Sequence, residues 1–193
     1  MTVSRDTDVV ICGAGAAGLT LAVDLARRGV AFRLIDQLAE PFAGSRGKGI
    51  QPRTQEVFED LGIIDRLATA GGPYPAQRVY RDDGTRDDVQ EITIASATVD
   101  EPYRAPLMVP QFRTEAILRD RLAAFGHRPD YGARLTFFAD DGAGVMAHVA
   151  GEDGAEVIRC RYLVGADGGG RLLPISCWRA WIGPCGTGST MAT

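Results

Sequence analysis

Six residues near the start of the chain, Gly13-Ala14-Gly15-Ala16-Ala17-Gly18, have the spacing G-x-G-x-x-G. The chemistry open to such a run is capture of a diphosphate. Gly13 permits a tight turn, Gly15 lets the backbone come close to a pyrophosphate, and Gly18 lets the next helix pack against the strand before it. The unpaired N–H groups at the helix start then face the negative charge. Further on, Asp36 offers a carboxylate that can accept hydrogen bonds from a ribose diol. A bare match of this kind can also be a glycine-rich turn with no ligand. Context separates the two.

The surrounding sequence supplies that context. Residues 8–12 are almost continuously apolar and β-branched, as in a buried strand. Residues 16–28 place Leu19, Ala22, Val23 and Ala26 on one helical face, and Gly29 gives the stop. Residues 31–36 return as a second strand, completing a βαβ unit of the expected size. With that context the motif predicts dinucleotide binding, although it does not by itself separate NAD from FAD. Helices are expected at 54–61 and 63–70, divided by Gly62, and again at 114–125. Residues 71–110 change character, with prolines, an Asp/Gly turn and strand-like runs at 78–81 and 89–94. Runs at 135–139, 145–150 and 155–161 read as a β-meander, and 161–166 as a further buried strand.

Composition narrows the partners. The chain has 193 residues, 45% hydrophobic and 24% charged, with a formal net charge of −4. A nucleic-acid surface needs clustered cations, whereas here the arginines are scattered and Lys48 is the sole lysine. No nucleic acid is expected. No run has the length of a membrane span, and residues 1–8 do not resemble a secretory leader. The cysteines at 12, 160, 177 and 185 are too sparse for a disulfide framework, which fits a reducing cytoplasm. His127 and His148 have no metal or nucleophile partner by spacing. Residues 44–49 contain Gly-Lys but lack the flanking residues of a P-loop.

Three further segments, in order after the glycine motif, resemble the FAD-dependent aromatic hydroxylases, the group built like para-hydroxybenzoate hydroxylase and the polyketide hydroxylases. The first is Ser45-Arg46-Gly47-Lys48-Gly49-Ile50-Gln51-Pro52-Arg53-Thr54-Gln55-Glu56, followed by Leu61-Gly62-Ile63. The second is Val109-Pro110-Gln111, with Glu115 and Leu118 following. The third is Tyr162-Leu163-Val164-Gly165-Ala166-Asp167-Gly168. Taken singly, Arg46 reads equally as a solvated loop cation, Gln111 as a helix cap and Asp167-Gly168 as a plain turn. The resemblance implies more. Arg46 would lie against the cofactor, Gln111 would touch the ribityl side of a flavin, and Asp167 would help hold FAD and take part in NAD(P)H handling.

The resemblance therefore implies an α/β chain: a Rossmann-like FAD-binding βαβ domain with a β-meander and an incomplete second, substrate-binding sheet. The FAD-binding domain would comprise residues 7–70 and 111–168, and 71–110 would begin the substrate sheet. FAD would be the cofactor, NAD(P)H the reducing co-substrate, and a small aromatic or polyketide molecule the substrate of an oxygen-dependent monooxygenase. The expected cofactor contacts are Gly13, Gly15, Ala17, Gly18, Asp36, Arg46, Gln111 and Asp167, with no catalytic side chain and no metal. Rival readings are another FAD-dependent oxidoreductase on the same scaffold, such as an isoprenoid reductase or a halogenase, a NAD-dependent dehydrogenase, and an inactive remnant. Trp178 and Trp181 lack the spacing of the halogenase tryptophans.

After Asp167-Gly168 the family pattern is lost. From residue 168 to 193 there is no Asp or Glu, although the whole chain has 25, and both tryptophans fall there. This predicts that residues 169–193 are an atypical tail read in a shifted frame. A later Gly-Asp cofactor motif and most of the substrate sheet would then be missing. Oxygen transfer needs a site closed to water, so this chain alone is expected to bind FAD weakly and to hydroxylate inefficiently.

Overall fold

The computed structural model describes residues 2–45, 47–74, 77–89, 97–152 and 154–168. Arg46, residues 169–193 and most of the strand expected at 89–94 lie outside the described residues. The chain opens with β1 (Thr2–Cys12), α1 (Ala16–Arg27) and β2 (Phe32–Asp36). Then come β3 (Gly49–Ile50), α2 (Pro52–Asp60), α3 (Ile64–Ala70), β4 (Gly72–Pro73), β5 (Gln77–Tyr80), β6 (Arg86–Val89), β7 (Leu107–Met108) and α4 (Gln111–Ala124). The last described elements are β8 (Asp130–Tyr131), β9 (Arg134–Asp140), β10 (Val145–Gly151) and β11 (Gly154–Gly165). Two compact units result: residues up to Pro41 together with those from Arg128 on, and Phe42–His127.

The first unit is built on one six-stranded sheet of order β8-β2-β1-β11-β10-β9. Strands β8, β2, β1 and β11 run parallel, while β10 and β9 are antiparallel additions. Alternation along β1 explains its burial on both faces. Val10 and Cys12 join Ile35, Leu135, Val145, Ala147, Val149, Ile158 and Cys160 in one cluster. Val9 and Ile11 point the other way, toward α1, which buries Leu19, Ala22 and Val23 and packs on β1 and β2. That the cluster draws on β2 and β9 together means the sheet curls over it. The N–H groups of Gly132 and Ala133 close the curl on the carbonyls of Leu38 and Asp36, at 2.8 and 3.0 Å.

The βαβ unit is present as expected. α1 ends where Gly29, at φ +68°, turns left-handed; Gly29 and Val30 donate to the carbonyls of Ala26 and Leu25, the bonding that closes a helix at a glycine. The meander differs from expectation. The runs at 155–161 and 161–166 are one continuous strand, β11, which pairs with β10 on one side and with β1 along the other. Nor is its far end buried, since Tyr162 is 60% exposed. Tyr162 is in register with Val9, and α1 packs mainly on β1 and β2, so the helix does not reach across to β11.

In the second unit the helices pack through Phe58, Leu61, Ile63, Leu67, Ile117, Leu118 and Leu122, all buried. A three-stranded sheet of order β3-β7-β4 joins them, and β5 with β6 forms a separate hairpin. Helix α4 starts at Gln111, three residues before the expected 114, because Pro110 stands at its N-cap and accepts from the N–H groups of Arg113 and Thr114.

Candidate dinucleotide site

The glycine turn connects β1 to α1 and is held from both sides. Gly13 N–H donates to the carbonyl of Ile35 in β2 at 2.8 Å, and Ala166 N–H, just past β11, donates to the carbonyl of Cys12 at 2.7 Å. Gly13 has φ +110°, and a Cβ there would lie 2.5 Å from the Ala166 oxygen and 2.8 Å from the Asp167 nitrogen. The first glycine is thus demanded by its own dihedral and by the backbone leaving β11. A Cβ on Gly18 would stand 1.9 Å from the carbonyl oxygen of Gly13. Its close contact is with the turn itself. Gly15 is different, for its φ of −76° and ψ of −175° suit any residue.

What the turn offers is a set of donors. Gly15 is the N-cap of α1 with no side-chain cap, and no acidic residue occupies the first turn. Leu19 is the first to bond within the helix, to the Gly15 carbonyl at 2.9 Å. The amides of Ala16, Ala17 and Gly18 precede it and have no acceptor inside the helix. Ala17 is exposed and Gly15 half-buried. A helix start whose first amides have no acceptor among the described residues, with no acidic residue in its first turn and no side chain at Gly15, suits a diphosphate.

Two carboxylates flank the turn, one from each neighbouring strand. Asp36 ends β2, and its Oδ2 accepts from Ala14 N–H at 2.7 Å while Oδ1 accepts from Leu38 N–H at 2.9 Å. The acid assigned to a sugar is therefore also bonded to the turn, a second contact that spacing alone did not reveal. Its oxygens retain further lone pairs for hydroxyl donors. Asp167 follows β11 and is half-buried. Burial, then the Asp167 charge and then Cys160 push the Cys12 thiol up to about 12, so Cys12 stays protonated and acts as a core residue. Gly13, Gly15, Ala17, Gly18, Asp36 and Asp167 accordingly gather at the carboxyl ends of three adjacent strands, where parallel sheets bind ligands.

Gln111 belongs to the other unit, as the first residue of α4. Its Nε2 donates to Glu115 Oε1 at 2.7 Å, and its backbone N–H is shared between the Gly47 carbonyl at 3.1 Å and Ser45 Oγ at 3.2 Å. Val109 N–H continues this zipper onto the Lys48 carbonyl at 2.8 Å. Beside it, Gln55 Nε2 bridges the carbonyls of Ile50 and Ala105 at 3.0 and 2.8 Å. Glu115, noted in the sequence only as part of a pattern, is 2% exposed. The sign that could have marked it is a carboxylate four residues from Gln111 on the helix face carrying Ile117, Leu118 and Leu122. Among the described residues no group of three metal-ligating side chains occurs, and no helix is long and apolar enough to cross a membrane.

Comparison with known proteins agrees with this architecture. Residues 6–172 match the family described as FAD binding domain. A flavin-dependent monooxygenase of Mycobacteroides abscessus is 40% identical over 165 residues, covering 83% of this chain and 35% of the relative. The solved anhydrotetracycline hydroxylase of Streptomyces rimosus superposes with a TM-score of 0.69 at 32% identity, over 86% of this chain and 32% of the other. A flavin-dependent monooxygenase solved with FAD and substrate gives 0.74 at 26% identity, over 86% and 31%. The chain spans about a third of the length of the relatives it matches. On the match over residues 6–172 and the likeness to these relatives, the chain belongs to the FAD-binding-domain family of the flavin-dependent aromatic hydroxylases.

Proposed function

We propose that the turn at Gly13–Gly18 grips the diphosphate of FAD, that Asp36 accepts from the adenosine ribose, and that Arg46, Gln111 and Asp167 contact the flavin half. One observation carries this reading: a 12-residue helix begins at Ala16 uncapped, beside a glycine that needs no special backbone and between two carboxylates. In this reading residues 7–70 and 111–168 form the FAD-binding domain, and 71–110 begin the sheet that faces substrate.

The whole protein, of which this chain matches about a third of the relatives' length, is an NAD(P)H- and oxygen-dependent monooxygenase acting on a small aromatic or polyketide molecule. FAD, when bound, supplies the electron transfer and oxygen chemistry. The chain's own residues bind and orient: the α1 amides take the phosphate charge, Asp36 holds the sugar, and the curled sheet keeps water from the turn's underside. The free thiols of Cys12 and Cys160 suit a reducing cytoplasm.

The test is direct titration of the purified chain with FAD, followed by quenching of flavin fluorescence. Binding is expected, with NAD+ failing to compete, and Gly15→Leu should weaken it by about tenfold or more. Unchanged affinity in Gly15→Leu would remove the turn from the site.

A further inference from the structure

We propose that Glu115 is the positioning residue for Gln111, fixing its amide so that the carbonyl oxygen, not the NH2, meets a hydroxyl donor of the flavin's ribityl chain. The inference rests on the FAD-binding reading and adds a polarity to it. Gln111 Nε2 donates to Glu115 Oε1 at 2.7 Å. The Glu115 oxygen that faces Gln111 is the acceptor of this bond, so the amide that meets it must turn its nitrogen inward. The amide is planar, and its oxygen is thereby placed on the opposite edge. The backbone of Gln111 is pinned as well, by Gly47 and Ser45. Side chain and main chain are both set before any ligand arrives.

The plainer reading is a Gln–Glu pair that steadies the helix. Such i,i+4 pairs contribute little even on an open helix surface. Here the carboxylate is 2% exposed, on the face of α4 that also buries Thr114, Ile117, Leu118 and Leu122. Burying a polar carboxyl group costs more than a surface pair returns. Leucine at 115 would pack the same face without that cost. The acid makes sense if its product is an amide held in one orientation.

The experiment compares FAD affinity of the full chain with that of Glu115→Leu, Glu115→Gln, Gln111→Ala and the double variant Gln111→Ala/Glu115→Leu, alongside the side-chain NH2 signals of Gln111 in 15N NMR without ligand. Glu115→Leu should lose about tenfold in affinity, and Glu115→Gln, which still offers an oxygen to Gln111, less than about threefold. In the Gln111→Ala background Glu115→Leu should cost nothing more. One Gln111 amide proton should exchange slowly in the native chain and in Glu115→Gln, and rapidly in Glu115→Leu. An equal loss from Glu115→Leu with and without Gln111 overturns the inference alone, because the residue would then act by another route. If Glu115→Leu does not fold, Glu115→Gln decides: a retained slow proton with a tenfold loss of affinity refutes orientation as the cause. A native chain with no FAD affinity refutes the proposed function and this inference together.

Discussion

Replacing Gly13 by alanine tests why the turn has its shape. Two costs arise at one atom. The residue sits at φ +110°, outside the regions open to L-residues, a strain of about 1–3 kcal/mol. The new Cβ would meet the oxygen and carbon of Ala166 at 2.5 and 2.6 Å and the nitrogen of Asp167 at 2.8 Å. All three are backbone atoms, so no side chain can swing aside. Moving β11's exit instead strains the bond from Ala166 N–H to Cys12 at 2.7 Å, and relief of overpacking adds about 1–3 kcal/mol. The expected loss is about 2–6 kcal/mol, or roughly 4–24 °C in Tm for a chain of this size. Gly29→Ala is the control, since Gly29 has φ +68° and nothing within 4 Å of a built Cβ. It should cost about 1–2 kcal/mol, from the dihedral alone. Urea and thermal unfolding of both variants, followed by circular dichroism, give the comparison. Equal destabilisation would mean that the approach of Ala166 and Asp167 does not constrain the first glycine.

Two other outcomes follow from buried groups. Folding raises the Cys12 thiol from its usual 9.0 to about 12, so the folded chain keeps a proton that the unfolded chain loses. Stability should therefore be unaffected below pH 9 and fall above it, by up to about 1.4 kcal/mol per pH unit from this group. Urea midpoints between pH 8 and 10.5 should show a shallower fall in Cys12→Ala, with a residue from Cys160, which burial also raises. Gln55 is 5% exposed and bridges two carbonyls, so Gln55→Leu leaves both short of a donor. A loss of about 1–3 kcal/mol is expected in urea unfolding, and a change within a few tenths would mean that water replaces the amide.

The local features of the fold were legible because they rest on local rules. β1, α1, β2 and the Gly29 stop follow from periodicity and backbone freedom. What the sequence did not disclose depends on contacts across long separations. Nothing in the pattern says that β11 is one strand, because the hydrophobic runs at 155–161 and 161–166 look the same whether the chain bends between them or not. Tyr162 belongs to an apolar run, yet its exposure is set by how far α1 reaches. The bond from Ala14 to Asp36 links residues adjacent only across the turn. Glu115 was visible as a letter and silent as a role, since burial of a charged helical residue is a tertiary fact. Helix α4 began early because a proline at the N-cap carries more weight than the first apolar repeat.

The continuous strand β11 also sets an order of events during synthesis. Cys12 and Gly13 emerge from the ribosome early, but the backbone that braces them, at Ala166 and Asp167, is among the last of the described residues to be made. Pairings so distant along the chain form slowly, since a long loop must close before the contact rewards it. Until then the nascent turn has β2 beside it and no wall on its other flank. On the proposed reading of the turn, nucleotide capture would wait until Ala166 and Asp167 have been made, and the flavin would join as a late step of assembly rather than as a seed for it.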